Sequence, residues 1–331
     1  MTVSIKVDEF SFERVSEIGK HRLFLEIASA GVGEQIGLPL LIANGARTGK
    51  TLVVFAGVHG DELEGIQAVH EVFNSLDPES LCGRFIAVPT ANLPAVRAMQ
   101  RNSPIDLLNL ARVFPGNKHG SVTERIAFYL STIILPQADF FIDLHSSGIT
   151  SLMPLMVGYD AGETIAGTES KSAALKFGTP VMWGHAEIGQ GRSITSAGEQ
   201  GIPWLYVESP SGGKVSSDYL PFYSNGLFNL LKHLHIISGE IAESTPKYSL
   251  LGSGDTDSAQ VVNTYGFFVS KVKLLDFVKR GTLIAEVRNV YGETIEQVVA
   301  KNAGCVSMLR AATVVEPGTL VCLVVEAEFV N

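Results

Sequence analysis

Five side chains of the kinds that bind metal ions or move protons stand at the ends of three apolar runs in this 331-residue chain. His59 and Glu62 lie in TLVVFAGVHGDELEG, Asp143 and His145 in ADFFIDLHSSG, and Glu208 in IPWLYVESPSGG. Two imidazoles and one carboxylate can bind a zinc ion and leave a position open for water, while a further carboxylate takes that water's proton. The pattern predicts a zinc hydrolase with His59, Glu62 and His145 on the metal. Glu208 would be the general base, because an unpaired carboxylate closing so apolar a strand is costly unless it has a task.

The flanking residues predict how these groups are held. Residues 51–56 are β-branched and apolar, the length of a buried strand, and a Gly-x-His-Gly turn follows. Asp61, Glu62 and Glu64 then open a periodic apolar stretch through Ile66, Val69, Val72 and Phe73, which reads as a helix with acidic residues in its first turn. Residues 140–145 repeat the strand-to-loop pattern. Asp143 and His145 are two apart and share a face of that strand, so Asp143 is expected to orient a ligating imidazole. Each site would then lie at the C-terminal end of a strand, where open α/β sheets bind ligands.

The ordered motifs GxHGxE, NLARVFPG, DLH and a Gly-Ile-Pro strand ending in Glu before Gly-Gly resemble the succinylglutamate desuccinylase/aspartoacylase family of the zinc carboxypeptidase clan. The likeness runs over roughly residues 40–331. It implies an α/β fold with a mixed central sheet flanked by helices, one zinc per chain, and removal of a small acyl group from an N-acyl amino acid or related amine. His59, Glu62 and His145 match the zinc ligands and Glu208 the catalytic glutamate. Arg101 matches the arginine that polarises the scissile carbonyl, and Arg112 the one that pairs with a substrate carboxylate. Asn109 falls in the same substrate loop.

Two positions depart from the family pattern. Ala111 stands before Arg112 where asparagine is usual, and Leu107 where glycine is common. A lost amide hydrogen bond is worth about 0.5–1.5 kcal/mol, which would weaken the carboxylate clamp without touching the metal chemistry. A metallocarboxypeptidase and a non-catalytic small-molecule binder on the same scaffold therefore stay open beside the deacylase.

Bulk properties narrow the partners. The net charge of −9 argues against nucleic acid, and no apolar run is long enough to span a membrane. Arg97, Arg101 and Arg112 invert the charge locally, which suits a small anionic N-acylated substrate. Cys82, Cys305 and Cys322 show no Cys-x-x-Cys spacing and read as buried thiols of a cytoplasmic protein. A homo-oligomer is left open.

Extended segments are expected over 21–28, 35–43 and 50–56, then helix 65–76, strand 84–88, helix 121–134, strand 140–145 and helix 221–235. Residues 150–200, with Gly158, Gly162, Gly184, Gly189 and Gly191, read as a loop-rich wall in which His185 and Arg192 are weaker candidates for substrate contact. Linker-like composition at 243–246 and 252–258 places a boundary near 240, dividing a catalytic domain (1–240) from a C-terminal domain (241–331). Within the latter, VKRGTLIA from Val278 recurs 37 residues later as VEPGTLVC from Val315. That repeat resembles the two halves of a lipoyl-like β barrel-sandwich, but no lysine stands at the intervening hairpin near residues 288–291, so a swinging-arm carrier is not expected. Residues 45–51 are one residue short of a phosphate loop and precede a strand, which excludes that reading.

Overall fold

The structure is a computed structural model that describes residues 3–29, 35–241, 244–252 and 256–330. Of the expected linkers, residues 243 and 253–255 lie outside the described residues.

The first half of the chain forms β1 (Val3–Lys6), β2 (Gly19–Ser29), β3 (Gln35–Asn44), β4 (Arg47–Ala56), α1 (Glu64–Ser75), β5 (Cys82–Val88), α2 (Leu93–Ala98), α3 (Val122–Tyr129) and β6 (Phe140–Leu144). There follow β7 (Ser151–Leu152), β8 (Met156–Asp160), α4 (Ile165–Phe177), β9 (Val181–His185), α5 (Ser193–Glu199), β10 (Trp204–Glu208) and α6 (Leu220–His233). The remainder is β-structure: β11 (Tyr248–Leu250), β12 (Gln260–Val261), β13 (Gly266–Ser270), β14 (Phe277–Val278), β15 (Leu283–Arg288), β16 (Thr294–Val299), β17 (Gly304–Arg310), β18 (Val314–Val315), β19 (Leu320–Val325) and β20 (Ala327–Phe329).

A mixed 11-stranded sheet runs in the order β1-β2-β3-β5-β4-β6-β10-β8-β9-β11-β20. Its centre is apolar on both faces because helices cover both. Alternate residues of β4 face opposite ways. Leu52 and Val54 pack with α1, α4 and α6 through Val72, Phe177 and Leu227. Val53 and Phe55 pack on the other face with α3 and α5 through Ile126 and Ala197. Strands β4, β6 and β10 are neighbours and parallel, with Phe55 opposite Asp143 and Tyr206 opposite Asp143 in register. Their C-terminal ends therefore emerge together. The strand order reverses beside β4, with β5 on one side and β6 on the other, which opens a crevice at that edge.

The stretch 150–200 is more regular than expected: it contains β8, α4, β9 and α5. Its glycines misled because two of them serve close packing inside strands. Gly158 pairs with Tyr206 across the sheet, and a Cβ there would lie 1.8 Å from the Tyr206 ring. Helix α4 hides its period because its buried face is built from small residues, Gly167, Ser170, Ala173 and Ala174. Gly158→Ala is expected to destabilise the protein by about 1–3 kcal/mol through overpacking, read as a lower denaturant midpoint at unchanged slope.

Past residue 240, β11 and β20 extend the edge of the large sheet beside β9, while β12 to β19 form two smaller sheets around Phe268, Ile284, Val306 and Val321. The sequence repeat is also a structural one. In each copy a short strand ends in a turn with glycine at positive φ (Gly281, 85°; Gly318, 88°) and a longer strand follows. The same threonine closes both turns, Thr282 Oγ1 accepting from Lys279 N–H and Thr319 Oγ1 from Glu316 N–H. Strand β17 reaches back to the large unit by pairing Leu309 and Arg310 with Leu152 and Ser151 of β7. All three cysteines are free thiols, but Cys82 is only half-buried, its Sγ donating to the Thr48 carbonyl at the open end of β4.

Candidate metal centre and catalytic cleft

His59 and Glu62 lie in the turn between β4 and α1, His145 directly after β6, and Glu208 at the last position of β10. Adjacent strand ends thus deliver all four to one place. Gly60 fixes the first pair. Its N–H donates to the Gln100 carbonyl at 2.9 Å, and a Cβ would sit 2.0 Å from the Ala95 backbone. Only glycine permits that approach, which carries the Arg101 segment against the His59 turn. His145 is anchored from behind, its carbonyl accepting from the Tyr223 hydroxyl at 2.5 Å and its N–H donating to the Val207 carbonyl at 2.9 Å.

The ligand atoms of His59, Glu62 and His145 fall within 4.8 Å of one another. Glu62 Oε1 is 2.8 Å from His59 Nδ1, and Glu62 Oε2 is 2.9 Å from His145 Nδ1. The opposite nitrogens each meet an oxygen. His59 Nε2 is 3.1 Å from Asn109 Oδ1, and His145 Nε2 is 3.1 Å from Asp143 Oδ2. Asp143 is held in turn by the Ser193 hydroxyl, which donates to the same oxygen. Both imidazoles therefore direct Nδ1 inward and are oriented through Nε2, as metal-binding histidines are.

The charges fit a cation. Burial, then the Arg101 guanidinium, lowers the His59 pKa to about 4. His145 is raised well above the ordinary imidazole range. Burial opposes this, and the Asp143 and Glu62 carboxylates outweigh it. Glu62 is held well below the usual carboxylate range against its own burial, first by His59 and then by His145. Glu208 goes the other way. Burial and then the Glu62 charge push its carboxyl well up, and its Oε2 is buried with no hydrogen-bond partner among the described residues. Two imidazoles, a carboxylate ionised at neutral pH and an orphaned carboxylate oxygen beside them suit a divalent first-row ion, and these residues could hold one.

Two expectations follow. Asp143→Asn keeps the shape but replaces an anionic acceptor behind His145, and should weaken metal affinity about 10–100-fold in a chelator competition. A proton on His145 must also leave before Nδ1 can bind a metal ion. Since that pKa is raised, affinity should fall as pH drops below it, by about tenfold per pH unit in the same competition.

The cleft has two connected parts. The inner part is lined by His59, His145 and Glu208 together with His185, Ile194 and Tyr206. His185 Nε2 lies 2.8 Å from the Tyr206 hydroxyl, and the two rings stack. The outer part shares Arg101, Arg112 and Glu208 with the inner one and is closed by residues of the C-terminal segment, among them Asp257, Met308 and Arg310.

The three residues expected to meet substrate are placed as follows. Arg101 lines both parts and donates to Glu62 Oε1 at 3.0 Å. Arg112 forms a two-pronged pair with Asp257, Nε and Nη2 each 2.8 Å from a carboxylate oxygen, and its Nη1 donates to the Ala111 carbonyl. Asn109, expected on the substrate, uses Oδ1 to accept from Ala111 N–H and to face His59, while it also lines the outer part. Arg192 reaches the same Asp257 at 3.4 Å. Sequence reasoning missed Tyr206, Ser193, Asp257 and Arg310. Tyr206 carries a usable signal, being two residues before Glu208 on one strand face. The other three come from distant segments and carry none.

Fold, strand-end ligands and motif order together define a hydrolase-type α/β family, and residues 48–234 match the succinylglutamate desuccinylase/aspartoacylase catalytic domain. The chain belongs to that family. It is 30% identical over 282 residues to the N-alpha-acetyl-L-2,4-diaminobutyric acid deacetylase of Halomonas elongata, covering 84% of this chain and 82% of the relative. Among solved structures it is similar to the product-bound ectoine utilization protein EutE of Ruegeria pomeroyi (TM-score 0.86, 30% identity, 94% and 96% of the two chains). A succinylglutamate desuccinylase of Silicibacter sp. is similar to the same degree (TM-score 0.86, 29% identity, 94% and 96%). Among the described residues, no helix is long and apolar enough to cross a membrane.

Proposed function

We propose that this protein is a zinc-dependent deacylase that hydrolyses the amide of a small N-acyl amino acid, with an Nα-acetylated diamino acid as the first candidate substrate. The observation that carries the reading is the meeting of His59, Glu62 and His145 with the partnerless Glu208 oxygen in one cleft. The acetyl-diaminobutyrate deacetylase of Halomonas elongata supports the substrate class.

His59, Glu62 and His145 would hold the metal. When bound there, zinc supplies Lewis-acid polarisation and lowers the pKa of a water by many units, to about 7. Glu208 takes one proton from the attacking water as its oxygen bonds to the amide carbon. A cation held by His59, Glu62 and His145 would favour the ionised form of Glu208 that can take this proton, and Glu208 then delivers it to the nitrogen, so that the C–N bond breaks with a neutral amine leaving. Arg101, which lines both cleft parts, offers its guanidinium to the negative carbonyl oxygen. The apolar inner wall of Ile188 and Ile194 suits a short acyl group. The two smaller sheets are proposed to act as a barrel-sandwich unit that closes the outer cleft.

A hydrolysis screen separates this from the peptidase reading. Nα-acetyl-L-2,4-diaminobutyrate, N-acetylaspartate and N-succinylglutamate would be compared with unblocked dipeptides. Turnover of acyl amino acids alone is expected. Turnover of dipeptides alone would replace the deacylase with a carboxypeptidase.

A further inference from the structure

We propose that Arg310, contributed by the C-terminal β-structure, binds the carboxylate of the substrate's amino-acid half. The proposal rests on the deacylase reading and adds a residue that the motifs do not contain.

The positive charges around the cleft are unequally committed. Arg101 is paired with Glu62, and Arg112 has both prongs on Asp257 with its remaining nitrogen on a backbone carbonyl. Arg192 shares Asp257. Arg112, the residue expected to grip a substrate carboxylate, thus already holds one from the protein itself. Arg310 differs. It lines the outer cleft together with Arg101, Asn109 and Glu208, has no ion pair among the described residues, and its Nε is buried without a hydrogen-bond partner among them. A partly buried guanidinium with no acceptor among the described residues is costly to keep, and a substrate carboxylate would relieve that cost with a planar, two-pronged contact.

Its placement is tied to the metal centre. Arg310 ends β17 opposite Ser151, and the next residue, Ala311, donates its N–H to the Thr150 carbonyl at 3.0 Å. The segment thus gripped continues directly from His145 through Ser146 and Ser147, both of which line the outer cleft. Strand pairing therefore fixes Arg310 relative to a metal ligand. An acyl group at the inner end and a carboxylate at Arg310 would lay an N-acyl amino acid along the cleft with its amide beside Glu208.

The test uses zinc-loaded full-length protein and calorimetric titration with L-2,4-diaminobutyrate and its carboxamide, which differ only in the carboxylate. The wild type should bind the acid about tenfold or more tighter than the amide. Arg310→Gln should bring that ratio to about one, and Arg310→Lys should restore part of it; the lysine variant alone decides the matter if the glutamine variant does not fold. In turnover, Arg310→Gln should raise KM while kcat stays within about threefold, since the contact is made equally in ground and transition states. An unchanged ratio in Arg310→Gln, or a wild type that binds acid and amide alike or neither, overturns the assignment. If the wild type hydrolyses no acyl amino acid, the deacylase reading fails, and the binding ratio still judges Arg310 on its own.

Discussion

Glu208→Gln is expected to lower kcat by about 10²–10⁴-fold while metal content stays at the wild-type level. The substitution keeps the size and removes the proton acceptor. Glu208 is the natural place for that loss because its Oε2 has no hydrogen-bond partner among the described residues, so no hydrogen bond is broken there. Burial and the nearby Glu62 charge already disfavour ionisation there, so a neutral amide should be tolerated and stability should hold or rise slightly. Steady-state kinetics with metal analysis on one preparation checks this. A fully active Glu208→Gln enzyme would show that the proton moves through another group.

The second large effect is expected at His145. His145→Ala leaves only one imidazole and Glu62 of the three-residue group, and activity should fall about a thousandfold or more as the metal is lost. Stability should change with it. A ligand present at a hundred times its dissociation constant stabilises the native state by about 2.7 kcal/mol, so added zinc should raise the melting temperature of the wild type and not that of the variant. The variant also leaves Glu62, Asp143 and Glu208 without the imidazole that offsets their charge, which adds to the loss. Retention of one zinc per chain by His145→Ala would remove His145 from the ligand set.

The parts of this site that the sequence discloses are those fixed by local chain geometry. His59, Glu62, His145 and Glu208 each follow an apolar run whose length marks a buried strand, and parallel neighbours bring the ends of such strands together. What stayed hidden depends on pairings across long separations. Asn109 reaches His59 over 50 positions and Arg112 reaches Asp257 over 145, and no spacing rule links such residues. The regularity of the stretch 150–200 is hidden for a different reason. Glycine is a turn signal on average, yet Gly158 sits mid-strand because the Tyr206 ring lies across it, and that requirement belongs to the partner strand. The C-terminal repeat was legible because each copy closes its own turn with its own threonine, a purely local device.

The proposed chemistry requires zinc held by His59, Glu62 and His145 for amide hydrolysis. Its most direct test is to titrate zinc into chelator-treated protein while following hydrolysis of Nα-acetyl-L-2,4-diaminobutyrate. Turnover should be absent at the start, rise in proportion to zinc and level off at one equivalent per chain. Full turnover in the metal-free protein, or none after one equivalent has bound, would contradict it.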